Sequence, residues 1–322
     1  MLKLSRREFV VSAAATGAVM GLDGRLAFIP PANAQKAADA ASKGFHTFKN
    51  GSVEITTVFD GIWEKPHDPG FIKNATVDET KTALKAAGLT DAHVTIPFTV
   101  TIVKSGGKTI MFDSGTGAQL SPLAGKLAEN MKAAGIDPKS INTVVVTHFH
   151  PDHIFGLMAK DTNAQIYPDA EIVVPKAELA WWTDASVFQK LPEARHGLAK
   201  RIQATLATWK NVRAVEGEAD VAPGVRAVPA FGHTPGHTTY VVNGDKPFMV
   251  IADLTNIPAL FAKNPGWHAQ FDGDAAMAEA NRRKLFDRAI ADKAIIAGYH
   301  YGMPGAGTIA KDGAGYAFVP VV

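Results

Sequence analysis

The sequence predicts a layered α/β protein with helices covering sheet faces; two such halves packed sheet to sheet would make one αββα domain, and periodicity alone does not distinguish this from a single doubly wound sheet. Two observations predict the class. From about residue 52, short runs rich in Val, Ile, Thr and Phe alternate with amphipathic stretches, and the second half of the chain repeats the scheme. The 322 residues are also 46% hydrophobic, enough for a substantial core.

In chain order, VEITTVFDGIW (53–63), IPFTVTIVKSG (96–106), KTIMFDSG (108–115) and NTVVVTH (142–148) read as strands, bounded by Gly, Asn or Asp. Between the last two, SPLAGKLAENMKAAG (121–135) has apolar residues at helical spacing. Ser121 is placed as an N-cap, Pro122 at the first helical position and Gly135 as a stop. In the second half AEIVVPKAE, GVRAVPA, TTYVVNG, PFMVIAD and AIIAGYH are strand candidates. Residues 192–210 and 273–293 are helix candidates, the second with Asp274 placed to cap it.

The N-terminal 34 residues stand apart. Lys3, Arg6 and Arg7 precede an Ala-rich apolar stretch that ends in Ala32-Asn33-Ala34, the layout of a cleavable export signal. The run Ser5-Arg6-Arg7-Glu8-Phe9-Val10 resembles the twin-arginine signal, which is an address and not an anchor. The expectation is a periplasmic protein whose residues 35–322 form one domain, with no membrane anchor once the signal is cleaved. Removing the signal leaves 29 basic and 29 acidic residues, so there is no basic stripe to attract a nucleic acid. The chain has no cysteine, which suits an oxidising compartment and confines any metal to His and carboxylate ligands.

THFHPDHIFG (147–156) then becomes the informative stretch. His148 and His150 are two apart, so on an extended or tightly turned backbone they can point the same way. Asp152 and His153 follow at once, where Pro151 bars a continued strand. Two ligand pairs on one loop can address two metal ions.

With Thr147 before it, this motif resembles the signature of the metallo-β-lactamase-fold hydrolases. Asp113 in FDSG, His233 in GHTPGHTTY, Asp253 in IADL and His300 in AGYHYGMPG match further motifs of that fold in order. HPDHIFGLM, FGHTPGHTTYVV and GAGYAFVPV are similar to the methyl parathion hydrolases and their lactonase and arylesterase relatives. The resemblance implies the four-layer αββα sandwich of two mixed sheets. It also implies one metal site on His148, His150 and His233, a second on Asp152, His153 and His300, and Asp253 bridging both. Zinc is the default for such ligands, with iron, manganese and cobalt compatible. Asp113, Thr147 and His237 would support the ligands. A hydroxide shared by two ions would be the nucleophile, with Asp253 holding the ions together and Asp152 accepting the proton.

The expected substrate is an ester-like small molecule: a lactone, an aryl ester or an organophosphate triester. Phe71, Trp181, Trp182, Phe188, Phe261, Trp267, His268 and Phe271 are candidates for the wall of its pocket. Some homoserine-lactone hydrolases carry a tyrosine three positions after the bridging aspartate, where this chain has Asn256. Relatives are often dimers, so a homodimer is compatible. A non-catalytic periplasmic binding protein on the same fold and a mononuclear-iron oxygenase of the persulfide type are the rival readings, and a count of bound metal separates them.

Overall fold

The computed structural model describes residues 18–20, 26–28 and 43–321. The export signal expected over residues 1–34 lies outside these, apart from two paired strands, β1 (Ala18–Met20) and β2 (Leu26–Phe28). One seven-stranded sheet follows in sequence order: β3 (Phe45–Asn50), β4 (Val53–Lys65), β5 (Val94–Ser105), β6 (Lys108–Phe112), β7 (Thr143–Val145), β8 (Glu171–Pro175) and β9 (Val212–Val215). It is antiparallel as far as β6 and parallel from there on. Each parallel pair is joined by a long crossover that holds helical turns, as parallel neighbours require.

The second seven-stranded sheet contains β10 (Asp220–Ala222), β11 (Val225–Pro229), β12 (Thr238–Val242), β13 (Phe248–Ala252), β14 (Ile295–Gly298), β15 (Ala306–Asp312) and β16 (Gly315–Pro320). All its neighbours are antiparallel except β13 and β14, which are joined through the long helix Ala275–Ala291. Both sheets are therefore mixed.

Strand periodicity sorts the core into layers. Val144 and Val146 pack with residues of the helices outside the first sheet, among them Leu127, Ile154 and Trp182. Val145, between them, faces the other way and joins Ile55, Ile110 and Phe112 against Tyr240, Phe248 and Val250 of the second sheet. Leu285, Phe286 and Ala289 of the long helix cover the outer face of that second sheet. This is the αββα sandwich, and the doubly wound alternative is excluded.

Three expected helices fare differently. The one expected from Ser121 begins only at Leu127 and runs to Ala133. Ser121 instead accepts from the Leu123 amide in a turn, and the buried Asp60 of β4 caps the helix by accepting from the Leu127 amide at 2.8 Å. Gly135 does end it, at a φ of 71°. The stretch 192–210 is helical over Glu193–Arg195 and His196–Ala204 only, and the Thr205 hydroxyl bonds back to the Arg201 carbonyl where it stops. Asp274 caps the long helix as expected, accepting from the Met277 amide at 2.9 Å. The helix Val77–Ala86, closed by a reciprocal Thr76–Glu79 capping box, and the helix Lys176–Thr183 are additions to the sequence reading.

Candidate metal centre

The carboxyl ends of β6, β7, β13 and β14 meet at one end of the sandwich, and the chain leaves each of them carrying a His or Asp. Two non-glycine residues there have left-handed backbone, Asp113 after β6 (φ 60°) and Ala252 just before Asp253 (φ 46°). Such a conformation costs of order 1–3 kcal/mol. Its position beside the site indicates that aim has been kept over local comfort.

Four histidines are anchored through Nδ1. Thr147 Oγ1 donates to Asp113 Oδ2 (2.9 Å), so it accepts from His148 Nδ1 (3.0 Å). His153 Nδ1 donates to Asp113 Oδ2 (2.7 Å), His233 Nδ1 to Asp272 Oδ1 (2.8 Å) and His300 Nδ1 to the Pro97 carbonyl (2.8 Å). Each anchor fixes the ring and leaves Nε2 aimed inward.

The inward atoms fall into two groups. His148, His150, His233 and Asp253 place ligand atoms within 4.8 Å of one another, and so do Asp152, His153 and His300. The Nε2 atoms of His148 and His233 each lie 2.9 Å from His150 Nδ1. A neutral His150 has one proton at most to offer there, so lone pairs face lone pairs. Asp253 stands between the groups, with Oδ1 at 3.2 Å from His153 Nε2 and Oδ2 at 3.3 Å from His233 Nε2 and 3.0 Å from His300 Nε2. Although buried, His153 Nε2 and Asp253 Oδ1 make no hydrogen bond. Unsatisfied buried donors and acceptors are costly, and a cation among them removes the cost. The residues fit divalent metal.

Electrostatics separate the groups. Burial, with help from neighbouring imidazoles, holds His148 and His150 well below the ordinary histidine range. Burial acts the same way on His153 and His300 but is outweighed by Asp253 and Asp152, joined at His153 by Asp113, so both are raised. Asp253 stays well below the ordinary carboxylate range because His300 and His153 overcome its burial.

The three residues expected as supports, Asp113, Thr147 and His237, all contact the centre. Asp113 accepts from the Thr147 amide as well as its hydroxyl, tying β6 to the start of the ligand loop. His237 donates from Nδ1 to the Ala230 carbonyl (3.0 Å) and accepts the Asp253 amide at Nε2 (3.2 Å), so it holds the Asp253 backbone. Burial, and after it the neighbouring His233, push His237 down to about 3, which keeps it a neutral acceptor.

Two adjoining cavities of about 450 and 570 Å³ open on the centre and share His150, Arg195 and Phe271. The smaller is walled by Trp63, Ile96, Phe98, Leu120, Phe155 and Leu198 and reaches Asp152, Asp253, Asn256 and His300. Of the eight expected wall residues, Phe271 lines both cavities, and Trp181 and Trp182 line the larger. Phe71 and Phe261 are core instead, packed edge to face with ring centroids 5.9 Å apart behind Phe271. Phe188 packs on the His196 ring, Trp267 against the core, and His268 pairs with Glu279 at 3.0 Å; none of these lines either cavity. The sequence reading did not find Asp272, its buried partner Arg282 (3.3 Å), Arg195 or the buried Glu178. Asp272 stands two residues before a helix cap, and nothing in that setting distinguishes it from an ordinary turn residue.

Comparison with known proteins agrees with this geometry. Two curated relatives are N-acyl homoserine lactonases. The one from a Bacillus species is 24% identical over 161 residues, covering 49% of this chain and 56% of its own length. The other, from Bacillus cereus, is 24% identical over 158 residues, covering 48% and 54%. The chain thus spans about half the length of the curated relatives it matches. Among solved structures, the hydrolase AbOPH of the beta lactamase superfamily superposes with a TM-score of 0.80 at 25% identity, and AidC, a dizinc quorum-quenching lactonase, with 0.77 at 26%. Each comparison covers 87% of this chain and 98% of the other. The sequence profile of the metallo-beta-lactamase superfamily matches residues 98–284, more than half of the chain and all the candidate ligands except His300, and the chain belongs to that superfamily.

Proposed function

We propose that the protein is a hydrolase of ester-like bonds that works with two divalent ions, zinc by default, one on His148, His150 and His233 and one on Asp152, His153 and His300. The observation that carries this reading is Asp253, whose two oxygens face ligand nitrogens of both groups. Ions bound there would bring the pKa of a shared water from 15.7 to about 7 and polarise the ester carbonyl. The chain's own residues do the rest. Asp152 faces the smaller cavity, and its side chain, at 17% exposure, is the most accessible carboxylate of the centre. It is placed to hold the proton that leaves with the alcohol. Its backbone carbonyl is fixed by the Tyr299 hydroxyl at 2.6 Å.

The smaller cavity is largely apolar, with the Arg195 guanidinium and the Asn256 amide as donors in its wall. That lining suits a neutral substrate carrying an apolar arm, and the lactonases among the relatives support a lactone ahead of an aryl ester or a phosphotriester. The test is elemental analysis of purified protein, followed by a rate survey over γ- and δ-lactones, aryl esters and phosphotriesters. About two ions per chain and lactone turnover are expected. A single iron would favour the oxygenase alternative, and full metal loading without turnover of any ester would favour the binding protein.

A further inference from the structure

Glu178 lies in the helix Lys176–Thr183, outside every motif named so far, and is fully buried. A carboxylate is rarely buried without a paired cation. This one is held by four donors. Its Oε1 accepts from the Phe149 amide (3.0 Å) and Trp182 Nε1 (2.9 Å), and its Oε2 from the Thr234 hydroxyl (2.7 Å) and the Gly236 amide (2.8 Å). All four partners donate, so their geometry suits the ionised carboxylate; burial nonetheless leaves the pKa of the group raised, the four donors offsetting part of that rise.

The division of labour between the two oxygens is informative. Phe149 sits between His148 and His150, and Thr234 and Gly236 follow His233. One oxygen therefore grips the stretch between His148 and His150 and the other grips the loop that carries His233, although the two are more than 80 residues apart in sequence. The helix is also pressed onto the second loop: a Cβ on Gly236 would meet the backbone nitrogen of Glu178 at 2.2 Å. No hydrogen bond of Glu178 reaches Asp152, His153 or His300.

We infer that Glu178 is the positioning residue of the three-histidine group: its carboxylate sets the separation of the His148/His150 loop from the His233 loop, and so the affinity of that group alone for metal. The inference rests on the two-ion reading for its metal measurement but not for its backbone measurement. Glu178→Gln keeps the shape and puts an NH2 where one loop needs an acceptor. Zinc-loaded wild type and variant would be titrated with a chelator while bound zinc per chain is counted. One of two release steps should move to about tenfold lower chelator concentration or further, as for other groups that orient ligands, with the other step unmoved. In the metal-free variant, amide hydrogen exchange should quicken about tenfold at Phe149 and Gly236 and stay unchanged at His153.

A residue that served stability alone would lower the melting temperature and leave both release steps where they were, which overturns the inference; so would an equal shift of both steps. Wild type that holds one ion or none defeats the two-ion reading, and the exchange measurement then decides the clamp by itself. Should Glu178→Gln not fold, Thr234→Val removes one donor from Oε2 and should give the same pattern at smaller size.

Discussion

In the group of His148, His150 and His233, burial and neighbouring imidazoles hold His148 and His150 well below the ordinary histidine range, whereas among Asp152, His153 and His300 the carboxylates outweigh burial and raise both imidazoles. Depth does not explain the contrast, because His148 and His153 are equally buried. The position of Asp113, Asp152 and Asp253 does. A cation entering the first group finds lone pairs ready, while one entering the second must displace protons. The Asp253 oxygens face nitrogens of both groups, so Asp253→Ala should cause the largest loss available: bound metal and turnover both fall to background. Metal-replete, active Asp253→Ala protein would break the comparison at its root.

The two supporting carboxylates sharpen it. Asp272 touches only His233 among the ligands, whereas Asp113 holds His153 directly and His148 through Thr147. Asp272→Asn should weaken one ion by about 10–100-fold and spare the other, while Asp113→Asn should weaken both by amounts of that order. Chelator titration of the two variants side by side checks this. A single shared shift in Asp272→Asn would mean that the groups are not separable.

The proton argument has its own measurement. By ring-nitrogen NMR of the metal-free protein, His237, at about 3, should remain neutral at pH 5.5, and His153, raised well above 6.5, should still be charged at pH 7. Loading with zinc should strip the proton from His153. The signs for stability are opposite. An unfolded histidine takes its proton near pH 6.5, so the contribution of neutral His237 is present above about 6.5 and is lost as pH falls below it. The contribution of charged His153 is fully present below about 6.5 and is lost as pH rises toward its folded value. A neutral His153 at pH 7 in the metal-free protein would remove the contrast between the groups.

The contiguous part of the centre was legible in the sequence, because His148, His150, Asp152 and His153 lie on one loop and spacing alone brings them together. His233, Asp253 and His300 became legible only through motif resemblance, since no local pattern says that the ends of β11, β13 and β14 converge on that loop. The supports Asp272 and Glu178 left no signal at all. The first reads as a turn before the Asp274 cap and the second as the last residue of the strand candidate AEIVVPKAE, and what ties either to the centre is a partner more than 28 residues away. The same reason explains the helix that starts at Leu127 and not at Ser121: its cap comes from Asp60, 67 residues earlier. Aromatic residues erred the other way, because Phe71 and Phe261 satisfy a core as well as they would a pocket.

The smallest expected effect concerns the mouth, where the two groups also differ. Arg195 lines both cavities beside His150, and its charge contributes to keeping His150 deprotonated; the smaller cavity's other wall is Asp152, Asp253 and His300. The Arg195 amide bonds to the Pro192 carbonyl, but its guanidinium makes none of the hydrogen bonds or ion pairs seen among the described residues and is free to meet an incoming carbonyl or anionic oxygen. Such a contact is made before the chemistry and kept through it, and loss of uniform binding raises KM while kcat stays put. Arg195→Met, which keeps the apolar stem, should raise KM about three- to tenfold for a lactone bearing a second carbonyl, the range of one ordinary hydrogen bond. For an unsubstituted lactone the change should stay within about twofold. An equal fall in kcat for both substrates would place Arg195 in the reaction itself and make the mouth part of the centre.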